Sequence, residues 1–145
     1  MLVVALVLAT GFGVWRLLTD GTFRGTHRVK GVEEQPEDEG PRSVLADSDI
    51  EHVLGERATL VQFSSAFCAP CRATRRVLSE VARVVPGVEY VEIDAEQHLE
   101  LVRRLGVSRT PTTLVLDVDG LEVKRATGAP TKQDVLHALS KVVGG

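Results

Sequence analysis

The chain has 145 residues, 43% hydrophobic and 26% charged, with a formal net charge of -3. That is room for one globular domain and some extra; nothing in the charge suggests a nucleic-acid partner, and two cysteines are too few for a disulfide-rich scaffold. With only one Trp, one Tyr and four Phe, Val, Leu and Ala must fill the interior. Residues 1–18, "MLVVALVLATGFGVWRLL", carry no charge until Arg16. As a helix they would span about 26 Å, slightly under a hydrocarbon core of ~30 Å. Trp15 and Arg16 stand where an interfacial aromatic and a snorkelling cation belong. We read this segment as a transmembrane anchor. The alternatives are a cleaved secretory signal, which lacks its basic start and a good cleavage site, and a buried helix, apolar on all faces. No cysteine follows the run to carry a lipid.

Arg16, Arg24, Arg28 and Lys30 follow the apolar run and no Lys or Arg precedes it. Positive charge stays inside, so the rest of the chain is expected on the cytoplasmic side, with the extracytoplasmic side as the alternative. A start codon further upstream that added cations ahead of the run would invert the assignment. Residues 19–42 read as a tether: "GVEEQPEDEGPR" holds two Pro, two Gly and five acids and buries too little apolar surface to offset its ordering entropy. An acidic docking strip for a basic partner is the other reading.

From Ser43 the chain reads as a globular domain, 43–145. "DSDIEHVLG" (47–55) suggests a short helix, capped by Asp47 or Ser48 and stopped at Gly55. "ATLVQFS" (58–64) is a strand. A long helix follows with Pro70 in its first turn and an expected apolar stripe of Ala73, Val77, Val81 and Val84, with Leu78 and Val85 beside it. "VEYVEID" (88–94) is a strand, and "AEQHLELVRRLG" (95–106) a helix ending at Gly106. "TTLVLDVDGLEVKRATG" (112–128) is a hairpin around Asp119-Gly120. "TKQDVLHALSKVV" (131–143) is an amphipathic helix capped near Thr131. The order α-β-α-β-α-β-β-α implies an α/β fold, a mixed sheet with helices on both faces.

Cys68 and Cys71 are the only cysteines, two residues apart at a strand-to-helix junction. Structural zinc wants four ligands, and His27, His52, His98 and His137 offer no partner spacing, so no metal is expected in a single chain. Two inert core thiols are a second possibility. A redox pair is the third: the positive end of a helix can lower a thiol from ~8.5 into the ~3.5–7.5 range, and Arg72 and Arg75 would add to this unless they only form a solvated face.

The segment "FSSAFCAPCRATRRVLSEVA" resembles the active-site segment of thioredoxins. "GVSRTPTTLVLDVDG" resembles that family's cis-proline segment, and "RATGAPTKQDVLHAL" its final strand, groove glycine and closing helix. The likeness runs from Leu45 to Val143, with three motifs in the family's order. It implies a thioredoxin fold and a thiol-disulfide oxidoreductase in which Cys68 is the nucleophile and Cys71 the resolving thiol. It also implies a cis bond at Pro111, with Thr110 pairing to an extended substrate as an added strand. Phe67, Ala69, Pro70 and Gly128 complete the implied substrate groove. No cofactor is implied. The expected partners are protein disulfides or dithiols and an electron donor or acceptor, with the protein a monomer.

Three departures stand out. Phe67 replaces the family's Trp, and Ala69-Pro70 its Gly-Pro. Gln62 stands where the family has a buried Asp, and Tyr90 where it has a Lys. Gln62 cannot titrate, so another group must take the proton of the resolving thiol, and slower turnover with generic partners is expected. Gln62 should point inward beneath the cysteine pair, on the face of its strand shared by Leu60 and Ser64. The sequence-based reading is a membrane-tethered oxidoreductase. A non-catalytic thioredoxin-fold module holding a membrane partner is the alternative.

Overall fold

The computed structural model describes residues 8–15, 21, 23–25, 42–46, 48 and 54–144. Among them run β1 (Phe23–Gly25), β2 (Ala58–Ser64), α1 (Ala69–Val84), β3 (Val88–Asp94), α2 (Leu99–Arg104), β4 (Thr112–Leu116), β5 (Glu122–Thr127) and α3 (Lys132–Val143). Residues 8–15 are helical as well. The sheet order is β1-β5-β4-β2-β3. β2 and β3 are parallel, joined by the crossover helix α1; the other pairings are antiparallel. A parallel pair needs such a crossover, so the helix following Cys68 is a topological requirement of the sheet.

β2 lies inside the sheet and all seven of its residues are buried. On one face Ala58 and Leu60 pack with Leu78 and Val81 of α1, Val115 of β4, and Val135, Ala138 and Leu139 of α3. On the other, Val61 and Phe63 pack with Leu45, Ile93, Leu101, Leu114 and Leu116. Each such side chain contributes about 1.5–3 kcal/mol on burial. Burial on both faces explains why β2 does not alternate between apolar and polar residues.

The mixed sheet with helices on both faces is as expected, and several element details differ. The expected tether supplies β1, which pairs with β5 through Phe23↔Ala126. Residues 26–41 of that tether lie outside the described residues. So do Asp47 and residues 49–53 of the expected helix at 47–55; Ser48, Leu54 and Gly55 are described and are not helical. In α1 the buried stripe is Cys71, Thr74, Leu78 and Val81, whereas Ala73 is exposed and Val84 is 60% exposed. Thr74 can sit inside because its hydroxyl donates to the Pro70 carbonyl at 3.0 Å. The helix expected from residue 95 starts at Leu99. Among the described residues no helix is long and apolar enough to cross a membrane; residues 1–7 and 16–18 of the expected anchor lie outside them.

Candidate active site

The site forms where β2 hands over to α1. Cys68 is the N-cap of α1, with extended backbone, and Ala69 and Pro70 open the first turn. Proline suits that position because its missing N–H would have no helical partner. Cys68 and Cys71 form a disulfide with Cα atoms 5.2 Å apart. The Cys71 N–H donates to Cys68 Sγ at 3.1 Å, so the Cys68 sulfur takes the place of a capping oxygen. The two cysteines differ in access. Cys71 is 2% exposed, whereas Cys68 is only partly buried. A thiolate formed at Cys68 would therefore face both solvent and the positive end of α1.

Phe67, Ala69 and Pro70 are all exposed around Cys68, Phe67 fully so. Phe67 thus presents an apolar ring to solvent next to the sulfur. Across from them the Thr110-Pro111 peptide is cis. Thr110 is partly buried, whereas Pro111 and Gly128 are buried. Gly128 takes φ +97°, a conformation costly for any side chain, and its N–H donates to the Pro111 carbonyl at 2.8 Å. The structure thus brings the cis-proline loop and the end of β5 together, with Thr110 the more accessible of the expected groove residues there. The Ser65 and Thr110 hydroxyls hydrogen-bond at 3.0 Å and tie this loop to the cysteine turn. Sequence reading missed Ser65; two hydroxyls 45 positions apart leave no local signal.

Gln62 is fully buried beneath the pair, as its strand position implied. Its Nε2 donates to the Cys71 carbonyl at 2.9 Å, and the Tyr90 hydroxyl donates to its Oε1 at 2.8 Å. The carbonyl can only accept, which fixes the amide orientation and makes Tyr90 a donor. Burial, and then the charge of Glu92, push the Tyr90 phenol up to about 12. Across the sheet from Gln62 lies Thr113, whose buried hydroxyl has no partner among the described residues. Arg75, expected to favour a thiolate or to be solvated, is 53% exposed and donates to Glu92 at 2.6 Å. That carboxylate holds the guanidinium above its ordinary value.

Beside the disulfide opens a polar cleft of about 420 Å³. Cys68 and Cys71, Arg72 and Arg75 from α1, and Glu92 and Asp94 from β3 contribute to its walls. Among the described residues no group of three or more His, Cys, Asp or Glu is placed to hold a metal ion.

The thioredoxin family model matches residues 43–141. The chain belongs to the thioredoxin family. Thioredoxin of Chlamydia muridarum is 29% identical over 98 residues, 68% of this chain and 95% of that protein. Thioredoxin of Mycobacterium bovis is 35% identical over 88 residues, 60% of this chain and 75% of that protein. Among solved structures, thioredoxin NaTrxh from Nicotiana alata superimposes with a TM-score of 0.55 at 27% identity, over 61% of this chain and 75% of that one. A thioredoxin-family domain with a disulfide-forming Cys-x-x-Cys pair is a thiol-disulfide oxidoreductase. Thioredoxins act on protein disulfides, which a cysteine pair at the surface end of a helix can reach.

Proposed function

We propose that this thioredoxin-family protein is tethered to a membrane by residues 1–18 and exchanges the Cys68-Cys71 couple with protein substrates through a mixed disulfide on Cys68. The difference in access between the two cysteines carries the reading. In the reducing direction the Cys68 thiolate attacks a substrate disulfide. A bond forms from Cys68 Sγ to one substrate sulfur, and the other substrate sulfur leaves with the electron pair. Cys71, deprotonated, then attacks Cys68 Sγ and displaces the substrate sulfur bound there as a thiolate. The substrate gains two electrons and two protons, and the protein returns to the disulfide. An external dithiol must then reduce it for another turn. The substrate chain is read as lying against Phe67, Ala69 and Pro70 on one side and Thr110, Pro111 and Gly128 on the other.

The anchor reading is supported by the helical stretch at 8–15, in which Leu8, Phe12, Val14 and Trp15 are all more than half exposed. Four large apolar side chains on two turns of helix need a cover, and lipid supplies one. The cations after this run favour a redox domain on the cytoplasmic side.

Cys71→Ser should accumulate partners on Cys68 that a reductant releases, and Cys68→Ser should accumulate none. On the reduced protein, iodoacetamide near neutral pH should alkylate Cys68 well before Cys71. Equal rates, or Cys71 reacting first, would overturn the assignment of roles. A membrane-impermeant thiol reagent applied to intact cells should leave Cys68 unlabelled; labelling would place the domain outside.

A further inference from the structure

The resolving step has to move a proton out of a buried site. Cys71 is 2% exposed, and its thiol must deprotonate before it can attack the mixed disulfide. The groups around it narrow the choice of acceptor. Gln62 is an amide with no basic site. Tyr90 already donates its proton to Gln62. Ser64, Ser65, Arg72 and Arg75 line the same cleft, and none is a base near neutral pH. Both Asp94 oxygens are held in the turn after β3, one accepting from the Glu96 N–H at 2.9 Å and the other from Gln97 Nε2 at 3.2 Å, whereas among the described residues Glu92 is held through Oε1 alone.

Glu92 remains. We infer that Glu92 is the proton acceptor for Cys71 in the mixed-disulfide resolving step, reached through water in the polar cleft. It pairs directly with Gln62 in the parallel register of β2 and β3, on the α1 side of the sheet. The acid thus stands one strand over from the buried amide beneath the cysteines. Its side chain is 24% exposed, shielded yet lining the polar cleft. Arg75 binds Oε1 at 2.6 Å and fixes the carboxylate beside the cleft. The charged and titratable groups facing it are Arg72 and Arg75 from α1 and Tyr90 and Asp94 from β3.

The step balances without a further reagent. The Cys71 S–H proton passes through water to the Glu92 carboxylate. The sulfur lone pair forms the bond to Cys68 Sγ, and the substrate sulfur departs with the electrons of the broken bond. That thiolate takes its proton from solvent, and Glu92 releases its own through the cleft mouth.

This inference rests on the resolving role of Cys71, and the test separates the two. Stopped-flow reduction of a fluorescence-quenched disulfide peptide by the full-length reduced protein reports both steps; in a Cys71→Ser background it reports the first alone. Glu92→Gln should slow the resolving step about a hundredfold near neutral pH, the low end of what a positioned base supplies. It should also shift the pH profile of that step while leaving the first attack within about twofold. Glu92→Asp should recover most of the rate. Melting temperatures of both variants check that they remain folded. An unchanged resolving rate and profile in folded Glu92→Gln would overturn the inference. So would equal slowing of the first attack, which would mean that Glu92 acts on Cys68 instead. If Cys71→Ser traps nothing on Cys68, it is the functional reading that fails.

Discussion

Tyr90 is the one tyrosine in the chain, so its ultraviolet titration reports a single site. Its phenol is raised to about 12, first by burial and then by Glu92, while the unfolded phenol ionises near ~10. A raised folded value means that the protonated form is favoured in the fold. The associated stability is complete below about pH 10 and is lost as pH rises through about 12. Tyrosinate absorbance of the native protein should therefore titrate well above that of the protein in denaturant. Coincident curves would show that Tyr90 is not buried beside Glu92 in solution. Gln62→Asp probes the other end. It deletes the donor to the Cys71 carbonyl and buries an acid whose own value burial should raise. We expect a loss of about 1–3 kcal/mol, faster release of the mixed disulfide, and a rate that titrates with the new group. A flat rate and an unchanged melting temperature would show that position 62 is not beneath the pair. The inward placement of Gln62 was legible because strand alternation fixes a face. Its partners were less so: that Tyr90 would reach Gln62, and Arg75 reach Glu92, depends on how α1 and β3 lie together, which no local pattern encodes.

At the scale of elements, strands read more reliably than helix faces and starts. β2 and β3 match their expected residues because both are short apolar runs bounded by turn residues. α2 begins four residues late for a visible reason. The Asp94 carboxylate accepts from the Glu96 N–H, and the Asp94 carbonyl accepts from the Gln97 and His98 N–H groups, so an Asx-type turn holds the chain before a helix can form. The end of α2 was easier to read. Gly106 takes φ +61°, and the bonds Gly106 N–H to Arg103 O and Val107 N–H to Val102 O make a Schellman close. The stripe of α1 was misjudged because Thr74 looks polar, whereas its hydroxyl is satisfied within its own helix. The start of α3 allows a clean test. Thr131 Oγ1 accepts from the Asp134 N–H at 3.2 Å, and the Asp134 carboxylate accepts from the Thr131 N–H at 3.1 Å. Thr131→Ala should cost about 1 kcal/mol in denaturant unfolding and leave the thiol chemistry unchanged, because the cap lies on the closing helix, away from the cysteine turn. A change in Cys68 alkylation would instead couple α3 to the site.

Along the sequence an apolar run and a charged stretch precede the redox domain, and the sheet of that domain begins earlier than composition suggests. Glycine, proline and acidic residues made 19–42 read as tether throughout, yet Phe23–Gly25 form the edge strand of the sheet. Phe23 packs partly buried against the core face shared by α1 and α3, and the Gly21 N–H donates to the Thr127 carbonyl at 2.8 Å. A three-residue strand carries too little pattern to be read from sequence; its place comes from the open edge of β5. Two truncations follow from this. Removing residues 1–18 should release a soluble protein with unchanged denaturation midpoint and unchanged Cys68 reactivity, since those residues precede the sheet. Removing residues 1–42 takes β1 as well and should lower stability by roughly 1–3 kcal/mol, the scale of one partly buried aromatic and its strand. Hydrogen exchange in β5 should speed up, because its outer edge loses its partner. Thr127 adjoins Gly128, so this loosening should reach the groove and weaken substrate capture by Cys71→Ser. If the shorter truncation aggregates or unfolds, residues 1–18 belong to the domain and are not an anchor. If the two truncations are equally stable and exchange alike, β1 adds nothing to the fold.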